Sequence, residues 1–182
     1  MNPYQSEIET CGVVPGLGPA GAGWKIFQNP YELGIFVSRM NELNVQTVLE
    51  IGSGYGGLSR YMHDRLGWRV LSIDIKMPDY QTPGVVQWVG DSRTVTLPSV
   101  PFDLVFIDGN HAYDILASDY KRFAPLADKV VAIHDISGNW NCKGVRQFWR
   151  ELAYENHELL PGFHEAIDPD NEQAAGIGWI EL

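Results

Sequence analysis

Apolar residues in this chain gather into short continuous runs. Each run stops at a polar or glycine-rich turn, and apolar positions three and four apart then follow. The first such unit spans Thr47–Arg60 (TVLEIGSGYGGLSR). Val48, Leu49 and Ile51 form the run, and Leu58, Tyr61, Met62 and Leu66 then recur at helical spacing. Four further runs predict buried strands: Trp68–Ile75 (WRVLSIDI), Val85–Gly90 (VVQWVG), Phe102–Ile107 (FDLVFI) and Lys129–Ile133 (KVVAI). Helical stripes lie between and around them. One starts at Asn29-Pro30 and runs to about Leu43, with Leu33, Phe36, Val37 and Met40 on one face. Others cover Asn110–Pro125, carrying Ile115, Leu116, Tyr120 and Phe123, and Val145–Glu155. Phe163–Ile167 and Gly176–Leu182 predict two short strands that close the chain as a hairpin around an acidic loop at Asp168. Alternating strands and helices imply one doubly wound α/β domain over residues 26–182. Residues 1–25 contain the Gly- and Pro-rich stretch GVVPGLGPAGAG and are expected to form a flexible arm.

Composition narrows the partners. The chain has 182 residues, 45% hydrophobic, with a formal charge of -10 and no basic run. That balance argues against a nucleic-acid or anionic-membrane surface. No stretch approaches the roughly 20 continuous apolar residues of a membrane span. The N-terminus lacks the basic and apolar regions of a secretory signal, so a cytoplasmic location is expected. Cys11 and Cys142 lack CxxC spacing and read as unpaired thiols in a reducing compartment.

Carboxylates then appear where strands end. Glu50 lies inside the first strand, and Asp74, Asp91 and Asp108 close the next three. Parallel strands bring these ends to one edge, where the ligand crevice of an open α/β sheet lies. Any single Asp there serves equally as a turn or cap residue. Four on one edge suit a ligand with hydroxyls, amines or positive charge. Gly52, Gly54 and Gly57 satisfy GxGxxG, with Asp74 about 20 residues on, as in dinucleotide sites. Glu50 weakens that match, because a carboxylate before the turn repels a pyrophosphate. An NAD-linked oxidoreductase therefore stands as the alternative.

The ordered series LEIGSGYGG, IDI, VGDS, FIDGNHAYDILASDY and VVAIHDI resembles the class I S-adenosylmethionine-dependent methyltransferases. It is most similar to a branch with IDGxHxY after the fourth strand and HD after the fifth. QNPYELGIFVSRMNEL, GVRQFWREL and GIGWIEL extend the likeness over about residues 26–182. The resemblance implies a Rossmann-like, mostly parallel seven-stranded sheet with a C-terminal antiparallel hairpin. It also implies site roles. Gly52, Ser53, Gly54 and Tyr55 would pass under the methionine part of S-adenosylmethionine, with Glu50 shaping the loop or reaching toward its ammonium. Asp74 would take the ribose hydroxyls, Ile75 the adenine face, Asp91 the adenine amino group with Ser92 beside it, and Asp108 would lie nearest the sulfonium.

Transfer of a methyl to a hydroxyl needs a base, and His111 and His134 follow the fourth and fifth strands on the same edge. Asp108, His134 and Asp135 could instead gather a divalent cation such as Mg²⁺, which would orient an acceptor oxygen. Catechol-type relatives carry Asp-Asn where this chain has Asp135-Ile136, so one expected ligand is missing. Trp149 and Trp179 read as core, and Trp140 as a rim residue of the acceptor pocket. Lys143 and Arg146 could meet an acidic acceptor. The implied activity is O-methylation of a small-molecule or sugar-like hydroxyl, by a chain that could form a homo-oligomer. A non-catalytic S-adenosylmethionine-binding module is the second alternative.

Overall fold

A computed structural model describes residues 2–11, 25–76, 82–97, 99–137, 142–155, 158–171 and 174–182. Seven strands form one sheet: β1 (Thr47–Ile51), β2 (Arg69–Asp74), β3 (Val86–Val89), β4 (Phe102–Ile107), β5 (Ala127–His134), β6 (Phe163–Ala166) and β7 (Ile177–Glu181). Their order is β3-β2-β1-β4-β5-β7-β6. Neighbouring strands from β3 to β5 pair in parallel, and β7 runs antiparallel between β5 and β6. The sheet order reverses between β1 and β4, and the C-terminal ends of β1 to β6 share one edge. A crevice at that reversal follows from topology alone.

Period-2 alternation explains why the strand patterns read as continuous apolar runs. Val48, Val70, Leu104, Phe106, Val130 and Ala132 face one layer, with α2 (Pro30–Glu42) and α3 (Gly57–Asp64). Leu49, Leu71, Ile73, Val105, Ile107, Val131 and Ile133 face the other, with α4 (Tyr113–Phe123) and α5 (Lys143–Ala153). Both faces are covered, so alternation with polar residues is absent. Trp149 and Trp179 are buried in these layers as expected, while Trp140 lies outside the described residues.

Element bounds depart from the sequence pattern where local chemistry intervenes. Asn29 caps α2 by accepting a hydrogen bond from the Tyr31 backbone N–H at 2.8 Å, and Pro30 fills the first turn. The helix expected over Asn110–Pro125 begins only at Tyr113 and ends at Phe123. Pro125 lies in a single 3₁₀ turn, Ala124–Leu126, because it has no N–H to extend an α-helix. The helix expected to reach Glu155 stops at Ala153, since Tyr154-Glu155 pairs with Glu158-Leu159 in a short antiparallel ribbon. β5 is longer than expected and takes in His134.

The N-terminal stretch contains α1 (Pro3–Cys11), docked on α2. Ile8 is buried in the core layer. The Asn2 side-chain amide donates to the Gly34 carbonyl at 3.1 Å and to Ser38 Oγ at 2.7 Å. Within the region read as a flexible arm, these residues are therefore helical and packed. Among the described residues, no helix is long and apolar enough to cross a membrane.

Candidate active site

The turn after β1 takes its shape from its glycines. Gly52 has φ +92°, and a Cβ there would collide with the Asp108 carbonyl. Gly56, at φ 82°, precedes α3 as its cap. Gly57 begins α3, where a glycine commonly lets a helix pack closely on its strand. Its tight neighbour is instead the Lys25 carbonyl, so the constraint comes from an extended strap, residues 25–28, that crosses the turn. Ile26 anchors this strap in the core, and Phe27 stacks on Tyr55 with ring centroids 5.4 Å apart. Lys25 Nζ sits 4.0 Å over the same ring.

Two clefts meet at this turn. The first, of about 470 Å³, is lined by Gly52, Gly54, Asp74, Ile75, Asp91, Ser92 and Asp108 among others. Asp74 closes β2, and its Oδ2 accepts the Gly54 N–H at 2.9 Å while Oδ1 accepts the Lys76 N–H at 3.0 Å. The carboxylate thus braces the loop that it shares the cleft with. Ile75 is 69% exposed at the mouth, free to cover a flat ligand. Asp91 is held by the Arg93 guanidinium at 2.6 Å, which keeps its carboxyl down at about 2. Ser92 bonds Asp119, whose buried carboxyl is pushed upward by desolvation.

The second cleft, of about 360 Å³, is lined by Gln28, Glu50, Ser53, Asp108, His111, His134 and Asp135 among others. Glu50 is buried, accepts a hydrogen bond from Ser59 Oγ, and is raised to about 8 by desolvation. Asp108 Oδ1 meets His134 Nδ1 at 3.1 Å, and Asp135 Oδ2 lies 3.4 Å from the same nitrogen. Burial disfavours a charged His134, yet the two carboxylates outweigh it and raise the imidazole well above its usual value. Asp135 Oδ2 also meets His111 Nε2 at 2.9 Å and raises His111 in turn. Burial alone would raise Asp135, but the two imidazoles hold it below the ordinary carboxylate range. Asp135 adopts φ +66°, a left-handed conformation uncommon outside Gly and Asn, to place one carboxylate between both rings. Cys142 lies 3.6 Å from His111 Nδ1, with its thiol pushed up to about 12 by burial and by Asp135.

Glu50, Gly52, Ser53, Gly54, Asp74, Ile75, Asp91, Ser92, Asp108, His111, His134 and Asp135 line the two clefts at one edge. Tyr55 is the outlier: it faces the strap and lines neither cleft. Asp108, His134 and Asp135 offer two carboxylate oxygens and a ring nitrogen within 4.8 Å of one another, a donor set that fits a divalent cation. Ile136, where a further ligand was missed, is buried in the core. Gln28 escaped the sequence reading because no motif marks it; it merely precedes the helix start Asn29-Pro30. A larger cavity, about 880 Å³, is elsewhere, between α5 and the ends of β5 and β6, with Arg146, Trp149 and Glu165 in its walls. Lys143 is exposed at the start of α5.

No family model and no curated protein matches the sequence. Solved structures do match in shape. The MycE methyltransferase of the mycinamycin biosynthetic pathway, in complex with Mg, SAH and mycinamycin VI, superposes with a TM-score of 0.62 at 16% identity. That match covers 99% of this chain, which spans 54% of the MycE chain. The methyltransferase domain of bacterial CtHen1 gives 0.59 at 13% identity, covering 85% of this chain and 99% of its own. An O-methyltransferase from Bacillus cereus in complex with SAH gives 0.52 at 16%, covering 81% and 79% respectively. Strand order, the antiparallel β7 and these likenesses together give the chain the class I S-adenosylmethionine-dependent methyltransferase fold.

Proposed function

We propose that this protein is an S-adenosylmethionine-dependent methyltransferase acting on a hydroxyl of a small-molecule or sugar-like acceptor. One observation carries the reading: two clefts meet at Gly52, Gly54 and Asp108, one lined by Asp74, Asp91 and Ile75, the other by two carboxylate-held histidines. The first suits an adenosine, with Asp74 for the ribose hydroxyls, Ile75 on the adenine face, and Asp91 and Ser92 at its polar edge. Gly52, Ser53 and Gly54, with Glu50 behind them, suit the amino-acid part. When bound, S-adenosylmethionine supplies an electrophilic methyl on a positive sulfur, and the Asp108 carboxylate at the junction of the two clefts favours that charge. The SAH complexes of MycE and the Bacillus cereus enzyme support the same cofactor.

His111 is the better base of the two histidines. Its Nε2–H is held by Asp135, so Nδ1 carries the lone pair; the Cys142 thiol at 3.6 Å is its weak partner there, and the ring is 37% exposed where an acceptor hydroxyl can take that place. His134 is buried, with Nδ1 committed to two carboxylates. His134 instead fixes Asp108 and Asp135. Asp108, His134 and Asp135 would hold Mg²⁺ if a cation is used, and it would lower the pKa of an acceptor hydroxyl; the MycE structure is a complex with Mg. An NAD-linked oxidoreductase fits less well, since the dinucleotide fold is a run of parallel strands without the antiparallel β7.

Calorimetric titration with S-adenosylmethionine, S-adenosylhomocysteine and NAD, with and without Mg²⁺, tests the reading. Both adenosyl ligands should bind, and Asp74→Ala should weaken them at least tenfold. Binding of NAD alone would overturn it. His111→Ala leaving methyl transfer intact would remove the assigned base.

A further inference from the structure

Two residues that line the second cleft each carry a buried polar atom without a hydrogen-bond partner among the described residues: Gln28 Oε1 and His134 Nε2. Gln28 is 3% exposed, and its Nε2 donates to Asp108 Oδ2 at 2.5 Å across 80 positions of sequence. The amide orientation is forced by chemistry, because the opposite one would set an oxygen against a carboxylate. Its Oε1 must then look for a donor. A buried carbonyl oxygen left unpaired costs more than an exposed one, so a site that keeps one is a site awaiting a ligand group. The surroundings say which kind. The carboxylates of Asp108 and Asp135 line the same cleft, and the cation on the strap, Lys25, sits over the Tyr55 ring. An ammonium, with several N–H donors on one atom, is a group that can satisfy the amide oxygen and a neighbouring carboxylate oxygen together.

We infer that Gln28 is a ligand-positioning residue that accepts a hydrogen bond from the ammonium of the cofactor's amino-acid part while its amide N–H holds Asp108 in place. This rests on the methyltransferase reading and extends it: part of the cofactor site comes from the strap ahead of the first strand rather than from the glycine turn. Fixed by Ile26 below and by Phe27 on Tyr55, the strap has little freedom to withdraw the side chain.

Two ligands that differ in the amino-acid part test the inference. S-adenosylhomocysteine carries the ammonium, and 5′-methylthioadenosine keeps the adenosine but lacks it. Gln28→Met preserves length and burial while removing both polar groups. It should weaken S-adenosylhomocysteine about tenfold or more and leave methylthioadenosine within about twofold. Methylthioadenosine binding also reports that the variant is folded; should Gln28→Met fail to fold, Gln28→Asn is measured with the same pair. Equal losses for both ligands, or no loss for either, would overturn the inference. If the unaltered protein binds neither ligand, the underlying methyltransferase reading fails first.

Discussion

Glu50 holds a carboxyl in the core end of β1, and its hydrogen-bond partner among the described residues is Ser59, nine residues on. Desolvation raises it from an ordinary value near 4.5 to about 8, so over that interval the folded protein binds a proton that the unfolded chain has released. The consequence has a definite sign. Stability from this group is greatest below about pH 4.5 and declines as pH climbs toward about 8. Glu50→Gln keeps the hydrogen-bonding shape without the titration. Urea unfolding between pH 5 and 8 should show a falling stability for the natural protein and a flatter profile for Glu50→Gln. Parallel profiles would mean that Glu50 is ionised in the fold. The chemical type of this residue was legible from the sequence, since a carboxylate before a glycine turn is unusual for a phosphate site. Its protonation was not, because that depends on burial by both layers and on a helix partner.

At the scale of elements, most of the sheet could be read from the chain. Parallel strands buried on both faces leave near-continuous apolar runs, and each run ends at a residue that a turn requires. What could not be read was any contact that crosses between distant segments. The strap is the clearest case: nothing in Lys25-Ile26-Phe27-Gln28 announces that it lies on Gly57 and Tyr55, or that Gln28 reaches Asp108. Asp135 is similar, since its double histidine pairing depends on the loop after β4 and the end of β5 arriving together. The strap contact yields a sharp expectation. In Gly57→Ala the new methyl, fixed to the helix backbone, would collide with the Lys25 backbone carbonyl, so neither side yields cheaply. Overpacking of this kind costs about 1–3 kcal/mol. For a chain of this size that is a drop in melting temperature of about 2–12 °C. Displacing the strap also displaces Gln28, so the variant should lose S-adenosylhomocysteine affinity as well. Unchanged melting and binding would show that the strap does not press on the turn.

For the whole molecule, the sheet order matters more than any single side chain, because it gathers residues from Gln28 to Asp135 at one edge. Ligand binding there should be felt throughout the fold. A ligand that binds only the native state adds stability in proportion to the logarithm of its excess over Kd, about 2.7 kcal/mol at a hundredfold excess. That corresponds to a rise in melting temperature of about 5–10 °C for a domain of this length. S-adenosylhomocysteine should therefore raise the melting temperature by that order, and NAD should leave it unmoved. Asp74→Ala separates the two duties of its carboxylate. Loss of the bond to the Gly54 N–H lowers the melting temperature of the ligand-free protein, and loss of the ribose contact shrinks the further rise on adding ligand. A variant that melts lower yet keeps the full ligand-induced rise would assign Asp74 to the loop alone. A variant that loses both would place the ribose and the glycine turn on one carboxylate, which is what the parallel register of β1 and β2 brings within reach.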